Sequence, residues 1–174
     1  MQPTLSFEQA PPISVPYRFF LTAPLFGAAA GLILAWLGPA AFESRWAPGA
    51  LAMTHLIVVD FMLQVMCGSL LQFVAVVAGA NIWRPRLVAS VVHPLITAGA
   101  VFLASAFLLE QQLLFLAAAL AFATALGPFL TVMAVALLRT PARGMAIHVL
   151  RVAVFGLLHG EKPLQAQGMP SSER

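Results

Sequence analysis

Residues 49–79, GALAMTHLIVVDFMLQVMCGSLLQFVAVVAG, decide the fold, because this long apolar run carries a single charged side chain, Asp60. A helix rises about 1.5 Å per residue and the hydrocarbon core of a bilayer is about 30 Å thick. Roughly 20 apolar residues therefore cross a membrane, and this run is longer than that. We expect it to form a membrane helix that tilts or projects beyond the bilayer.

Similar apolar runs lie on both sides of this stretch, separated by loops that contain proline or charged residues. The predicted spans are residues 17–37, 49–79, 87–109 and 113–138, with a weaker fifth run at 144–159. The fifth run is short, so it either spans the membrane or lies at its interface. The sequence thus predicts an all-α, polytopic transmembrane bundle of four to five spans. Residues 1–16 and 161–174 are predicted to be a disordered N-terminus and a disordered C-terminal tail.

The composition excludes a soluble globular domain. Of the 174 residues, 61% are hydrophobic and 9% are charged, whereas soluble domains carry roughly 25% charged residues. The net charge of +3 is too small and too scattered to indicate nucleic-acid binding. The lipid bilayer is therefore the predicted surrounding of the helices.

The arginines predict the orientation of the chain. Arg84 and Arg86 follow the second span, and Arg139 and Arg143 follow the fourth. If the spans alternate, both pairs lie on one side, and the positive-inside rule assigns that side to the cytoplasm. We expect a multi-pass protein of the bacterial inner membrane with a cytoplasmic N-terminus.

Polar side chains form a stripe on the second span. At 100° per residue, Asp60, Gln64, Cys67 and Gln72 fall on one side of an α-helix, which we expect to face protein rather than lipid. Ionisable groups inside spans mark functional sites by default. The alternative is that Asp60 is a buried carboxyl that is hydrogen-bonded or protonated.

The four histidines are spaced as in a membrane cytochrome. In the predicted topology, His55 and His159 lie near the outer face, and His93 and His148 lie nearer the cytoplasm. Two histidine pairs at two depths are typical of a diheme b-type cytochrome, since low-spin heme takes two axial side chains. Arg151 is placed to pair with a heme propionate. The alternative is that these histidines only form hydrogen bonds between helices.

Two pieces of the second span, Ala52–Leu56 (AMTHL) and Met66–Gly79 (MCGSLLQFVAVVAG), carry a family resemblance. They resemble the second helix of the heme–copper oxidase catalytic subunit I, in particular its nitric oxide reductase and related bacterial branches. The resemblance implies that His55 ligates a low-spin heme b, which would be the metal site. The family's catalytic subunit has many more spans, and its remaining heme and copper ligands lie in them. The chain thus resembles an N-terminal portion or shortened relative, and catalysis by it alone is not expected.

Three functions follow from these observations. The first is heme binding or electron transfer through His55, with a second ligand from His159, a homodimer mate or another chain. The second is a non-enzymatic subunit that supports assembly of, or packs within, a larger respiratory membrane complex. The third is a small transporter-like bundle in which Asp60 and Gln64 line a polar path.

Overall fold

The computed structural model describes residues 7–140 and the single positions 148, 149, 152 and 156. Within these residues the chain is helical and contains no strand, which confirms the predicted fold class. The second apolar run consists of two α-helices joined without a break by a π-helical turn, Leu56–Phe61. The α-helices are α1 (Ser14–Leu37), α2 (Pro48–His55), α3 (Met62–Ala78), α4 (Pro85–Leu109) and α5 (Gln112–Arg139).

The described helices include four that are long and apolar enough to cross a membrane, α2 and α3 together counting as one. Large apolar side chains cover their outer surfaces. Leu32 on α1 is 71% exposed and Leu113 on α5 is 77% exposed. A surface of this kind is favourable in lipid and unfavourable in water. The protein is therefore a multi-pass membrane protein.

The structure describes residues 7–16 of the N-terminal segment for which the sequence predicts disorder. Phe7–Gln9 forms a 3-10 turn that packs against α3, and Pro11 and Val15 are buried. The remaining expectations for the termini concern residues 1–6, the fifth run at 144–159 and the tail at 161–174. These lie outside the described residues, apart from the four helical, exposed positions 148, 149, 152 and 156.

The second span lies at the centre of the packing. Helix α1 packs against α3 and the π-helical turn, and α4 packs against α2. Helices α4 and α5 form a hairpin, with Glu110 in the left-handed conformation (φ 53°) at its tight turn. The contact between α4 and α5 is the most extensive helix–helix contact in the described chain. The second span therefore contacts every other described span.

Gly68 allows α1 and α3 to approach closely. A Cβ atom at this position would lie 3.1 Å from Cβ of Phe19 and 3.2 Å from the backbone oxygen of Pro16. Small residues permit such approaches between membrane helices, where dispersion contacts rather than the hydrophobic effect hold helices together. Gly68 thus fixes the distance between the central span and α1.

The apolar core has two parts, which lie on either side of the polar stretch of the second span. One cluster includes Phe19 and Leu71. The other includes Phe26 and Leu56. Asp60 lies between Leu56 and Leu71 in the chain, so the core presents its buried polar groups between two apolar clusters.

Candidate functional site

The π-helical turn Leu56–Phe61 is the local feature that shapes the site. The amide of Met62 donates to the carbonyl oxygen of Ile57, five residues earlier, in place of the α-helical bond four residues back. Such turns insert one extra residue into a helix and are frequent at functional sites. The turn begins directly after His55 and contains Asp60, so it changes the angle between these two side chains from that in an unbroken α-helix.

Asp60 is a buried carboxyl without a hydrogen-bond partner. Its side chain is 0% exposed. Neither carboxyl oxygen has a partner among the described residues. A carboxylate in apolar surroundings is held at low free energy only when it is paired with a cation, hydrogen-bonded or neutral. The surroundings of Asp60 therefore favour its neutral, protonated form.

Gln64 lies one helical turn from Asp60 and is also 0% exposed. Its Nε2 donates to Oγ1 of Thr97 on α4 at 3.0 Å. Its Oε1 has no hydrogen-bond partner among the described residues. Together with the two oxygens of Asp60, this atom makes a group of three buried acceptors that lack donors.

A single proton on Asp60 would satisfy much of this group. Side chains four residues apart on a helix are neighbours, and a protonated carboxyl is a hydrogen-bond donor. A protonated Asp60 would be the donor that Oε1 of Gln64 lacks, and Nε2 of Gln64 already donates to Thr97. The site therefore contains a carboxyl that can hold a proton and, one helical turn away, a hydrogen bond that joins the second span to α4.

A second polar contact lies one turn along α4 from Thr97. His93 Nε2 and Thr22 Oγ1 are 2.8 Å apart, and Thr22 Oγ1 donates to the carbonyl oxygen of Arg18 at 2.8 Å. Because a hydroxyl has one hydrogen, Nε2 of His93 must be the donor to Thr22. The edge-on ring of Phe19, with its centroid 5.2 Å from that of His93, also fixes the imidazole.

His55 lies at the other end of α4. Its Nδ1 is 2.7 Å from the carbonyl oxygen of Leu51, and its ring lies 4.6 Å from that of Phe107. With Nδ1–H donating to a carbonyl, Nε2 carries the lone pair that a metal ligand needs. Phe107 is fourteen residues from His93, so a rise of about 1.5 Å per residue separates the two histidines by about 20 Å.

His55 and His93 therefore lie at two different depths, and the predicted pairing of His55 with His159 and of His93 with His148 stays a prediction. His148 is exposed, and His159 and Arg151 lie outside the described residues. Within the part of the chain that is described, no group of three or more His, Cys, Asp or Glu side chains could hold a metal ion. The structure joins two pairs of polar side chains, Gln64 with Thr97 and His93 with Thr22. These four residues and Asp60 are called the polar cluster below.

The predicted burial of the stripe on the second span is confirmed for three of its members. Asp60, Gln64 and Cys67 are all at most 2% exposed, and Gln72 is half-buried. Sequence reasoning missed Thr22 and Thr97. Threonines in membrane helices usually donate to their own backbone, and the sequence contains no signal for which of them reaches another helix.

Comparison of the chain with protein-family models, curated proteins and solved structures finds no match. The functional argument therefore depends on the polar cluster and on the placement of the histidines.

Proposed function

We propose that this protein is a transport-type bundle of the bacterial inner membrane in which Asp60 binds and releases a proton. The observation that carries the proposal is the complete burial of Asp60 with both carboxyl oxygens unpartnered in the described chain. Buried ionisable groups inside spans are characteristic of proton relays in pumps and transporters. A purely structural role would be served better by an apolar side chain of similar volume.

The chemistry of the site favours a proton over a divalent cation. Ca²⁺ takes six to eight oxygen ligands, and Mg²⁺ requires near-ideal octahedral geometry. Asp60 and Gln64 offer three unpartnered oxygens among the described residues, within an apolar core. One proton needs only one carboxyl oxygen and one acceptor, and the pair provides both.

In this proposal the proton moves between Asp60 and the cytoplasmic side along the polar cluster. One helical turn from Asp60, Gln64 donates to Thr97 on α4. His93 follows one turn nearer the start of α4 and contacts Thr22 on α1. In the proposed orientation, with the N-terminus and the arginine loops in the cytoplasm, this path leads from the middle of the second span toward the cytoplasmic side.

Proton flux into liposomes tests the proposal. Purified protein reconstituted with a pH-sensitive dye inside the vesicles should dissipate an imposed pH gradient faster than empty liposomes. Asp60→Asn, which keeps the shape of the side chain and removes the titratable group, should lower that protein-dependent flux about tenfold or more. The matched control is Glu110→Gln, because Glu110 is a carboxyl in the exposed α4–α5 turn. Flux through Asp60→Asn equal to that of the wild type would contradict the proposal.

Heme binding at His55 is a second candidate function, favoured by one specific observation. The bond from Nδ1 to Leu51 leaves Nε2 as the ligand atom, so His55 suits one axial position. His93 does not suit the other position as it stands, because its Nε2 donates to Thr22. The second ligand would come from His159, a homodimer mate or a subunit of a respiratory complex. Bound heme b would supply one-electron transfer, as the resemblance to heme–copper oxidase subunit I implies.

A visible spectrum of the detergent-purified protein tests this second candidate. A reducible b-type Soret band that is lost in His55→Ala and kept in His93→Ala would support it. Purified protein without a chromophore, after expression with added heme precursor, would contradict it. Either result leaves the proton-flux experiment independent, since one experiment replaces His55 and the other replaces Asp60.

A further inference from the structure

The end of the bundle that carries Arg84 and Arg139 contains a cavity lined by both polar and apolar residues. Its volume is about 490 Å³, and Arg84 and Arg139 contribute to its lining together with Asn81, Trp83 and Thr140. No carboxylate lines it among the described residues. The charged residues among its described lining are therefore both arginines.

The wall of this cavity is held in place by the backbone. Arg84 has the left-handed conformation (φ 42°, ψ 61°), which is rare for a residue other than glycine and persists where its surroundings impose it. Its carbonyl oxygen accepts the amides of Leu87 and Val88. On the opposite wall, Thr140 Oγ1 donates to the carbonyl oxygen of Ala78 at 2.6 Å. The end of α3 and the end of α5 are thus fixed relative to each other.

A smaller groove of about 230 Å³ adjoins the cavity and lies along the outer surface of α5. Asn81, Trp83 and Arg139 line both spaces. The groove extends to Thr131, which lies eight residues before Arg139 and thus about 12 Å deeper along the helix. The cavity thus forms a charged end at the membrane surface, and the groove extends from that end along the lipid-facing side of α5.

This combination matches one kind of molecule. Basic pockets at the cytoplasmic side of membrane helices bind anionic lipid headgroups. Arginine forms bidentate hydrogen bonds with phosphate, and Trp83, whose ring lies 5.3 Å from the guanidinium of Arg84, is the aromatic residue typical of the headgroup level. A free anion would use the cavity but would leave the groove along α5 without an occupant.

We propose that Arg84, Arg139 and Trp83 form a binding site for an anionic phospholipid, with its phosphate in the cavity and an acyl chain in the groove along α5. The site lies outside the polar cluster. It would tie the loop after α3 to the end of α5 through a bound lipid.

Lipid binding to the detergent-purified full chain tests this inference. Phosphatidylglycerol and phosphatidylcholine with identical acyl chains are titrated, and bound lipid is counted by native mass spectrometry. Phosphatidylglycerol should bind saturably and more tightly than phosphatidylcholine. Arg84→Gln and Arg139→Gln should each weaken its binding about fivefold, and the double variant more than tenfold. Arg84→Lys and Arg139→Lys, which keep the charge, should retain part of the affinity.

The matched control is Arg45→Gln at the other end of the bundle. Arg45 also lies over a tryptophan, with its guanidinium 5.4 Å from the ring of Trp46, and it does not line the cavity or the groove. Its replacement should leave phosphatidylglycerol binding unchanged. Equal binding of the two lipids, or an equal loss in Arg45→Gln, would overturn the inference. Inorganic phosphate that displaces phosphatidylglycerol at equal concentration would also overturn it, because the site would then bind a free anion.

Discussion

The second span and the α5 span are alike in sequence and unlike in their surroundings. Their most apolar windows have mean hydropathies of 2.0 and 2.2, but 44% of the former window is buried and 22% of the latter. The second span carries a buried carboxyl and amide, whereas α5 exposes leucines such as Leu116 and Leu120. Hydropathy thus shows which segments enter the membrane, and polar residues show which of them is surrounded by protein.

The two spans also depart from a regular α-helix in different ways. The second span contains the π-helical turn at Leu56–Phe61. Helix α5 contains Pro128 and continues through it to Arg139. Proline is tolerated in membrane helices because neighbouring groups satisfy the backbone atom that it frees. The irregularity of the second span coincides with Asp60, whereas that of α5 coincides with no buried polar side chain in the described chain.

The largest expected effect on stability is at Gly68 in the second span. Gly68→Leu places a side chain against Phe19, Phe20 and the backbone of Pro16, and overpacking of this kind costs about 1–3 kcal/mol. Gly127→Leu is the control on α5, because a Cβ atom there would have no neighbour within 4 Å. Unfolding in mixed micelles, followed by circular dichroism, measures both. Equal losses of unfolding free energy in Gly68→Leu and Gly127→Leu would contradict the assignment of the second span as central and of α5 as peripheral.

A smaller effect on stability, with a clear effect on function, is expected at Gln64. Gln64→Leu removes the bond to Thr97, and hydrogen bonds between membrane helices average about 0.6 kcal/mol. It also removes the unpartnered Oε1, so the net change in stability should stay within about 1 kcal/mol. Proton flux should fall, since the proton on Asp60 loses the acceptor that the proposal assigns to it, Oε1 of Gln64. Unchanged flux with unchanged stability would place Gln64 outside the path.

The smallest effect is expected at Thr22. Thr22→Val keeps the shape of the side chain and removes the acceptor of His93, which should cost about 0.6 kcal/mol. Thr131→Val on α5 is the control, because Thr131 bonds only to the backbone oxygen of Gly127 within the described chain and is exposed. The same mixed-micelle unfolding compares them. A loss in Thr22→Val no larger than that in Thr131→Val would contradict a stabilising contact between α1 and α4.

Much of the fold follows from the sequence for a simple physical reason. Lipid requires apolar helices about 20 residues long, so the apolar runs and their proline-containing or charged loops indicate the spans directly. The burial of Asp60, Gln64 and Cys67 follows from their spacing and from the cost of placing them in lipid. These inferences need only the length, the hydropathy and the periodicity of a single helix.

The remaining features depend on pairs of helices, which periodicity does not reveal. The π-helical turn leaves no mark in the residues LIVVDF that distinguishes it from α-helix. The partners Thr97 for Gln64 and Thr22 for His93 depend on how α4 packs against α3 and α1. The ordered turn at Phe7–Gln9 depends on its contact with α3, because the local sequence is rich in proline and polar residues.

Infrared difference spectroscopy tests the central claim most directly, because it observes the proton on Asp60 itself. Difference spectra between acid and alkaline buffer, recorded on the reconstituted protein, should contain a carbonyl stretching band of a protonated carboxyl in an apolar environment. That band should vanish in Asp60→Asn and persist in Glu110→Gln. A spectrum with carboxylate bands alone, identical in the wild type and in Asp60→Asn, would contradict the account.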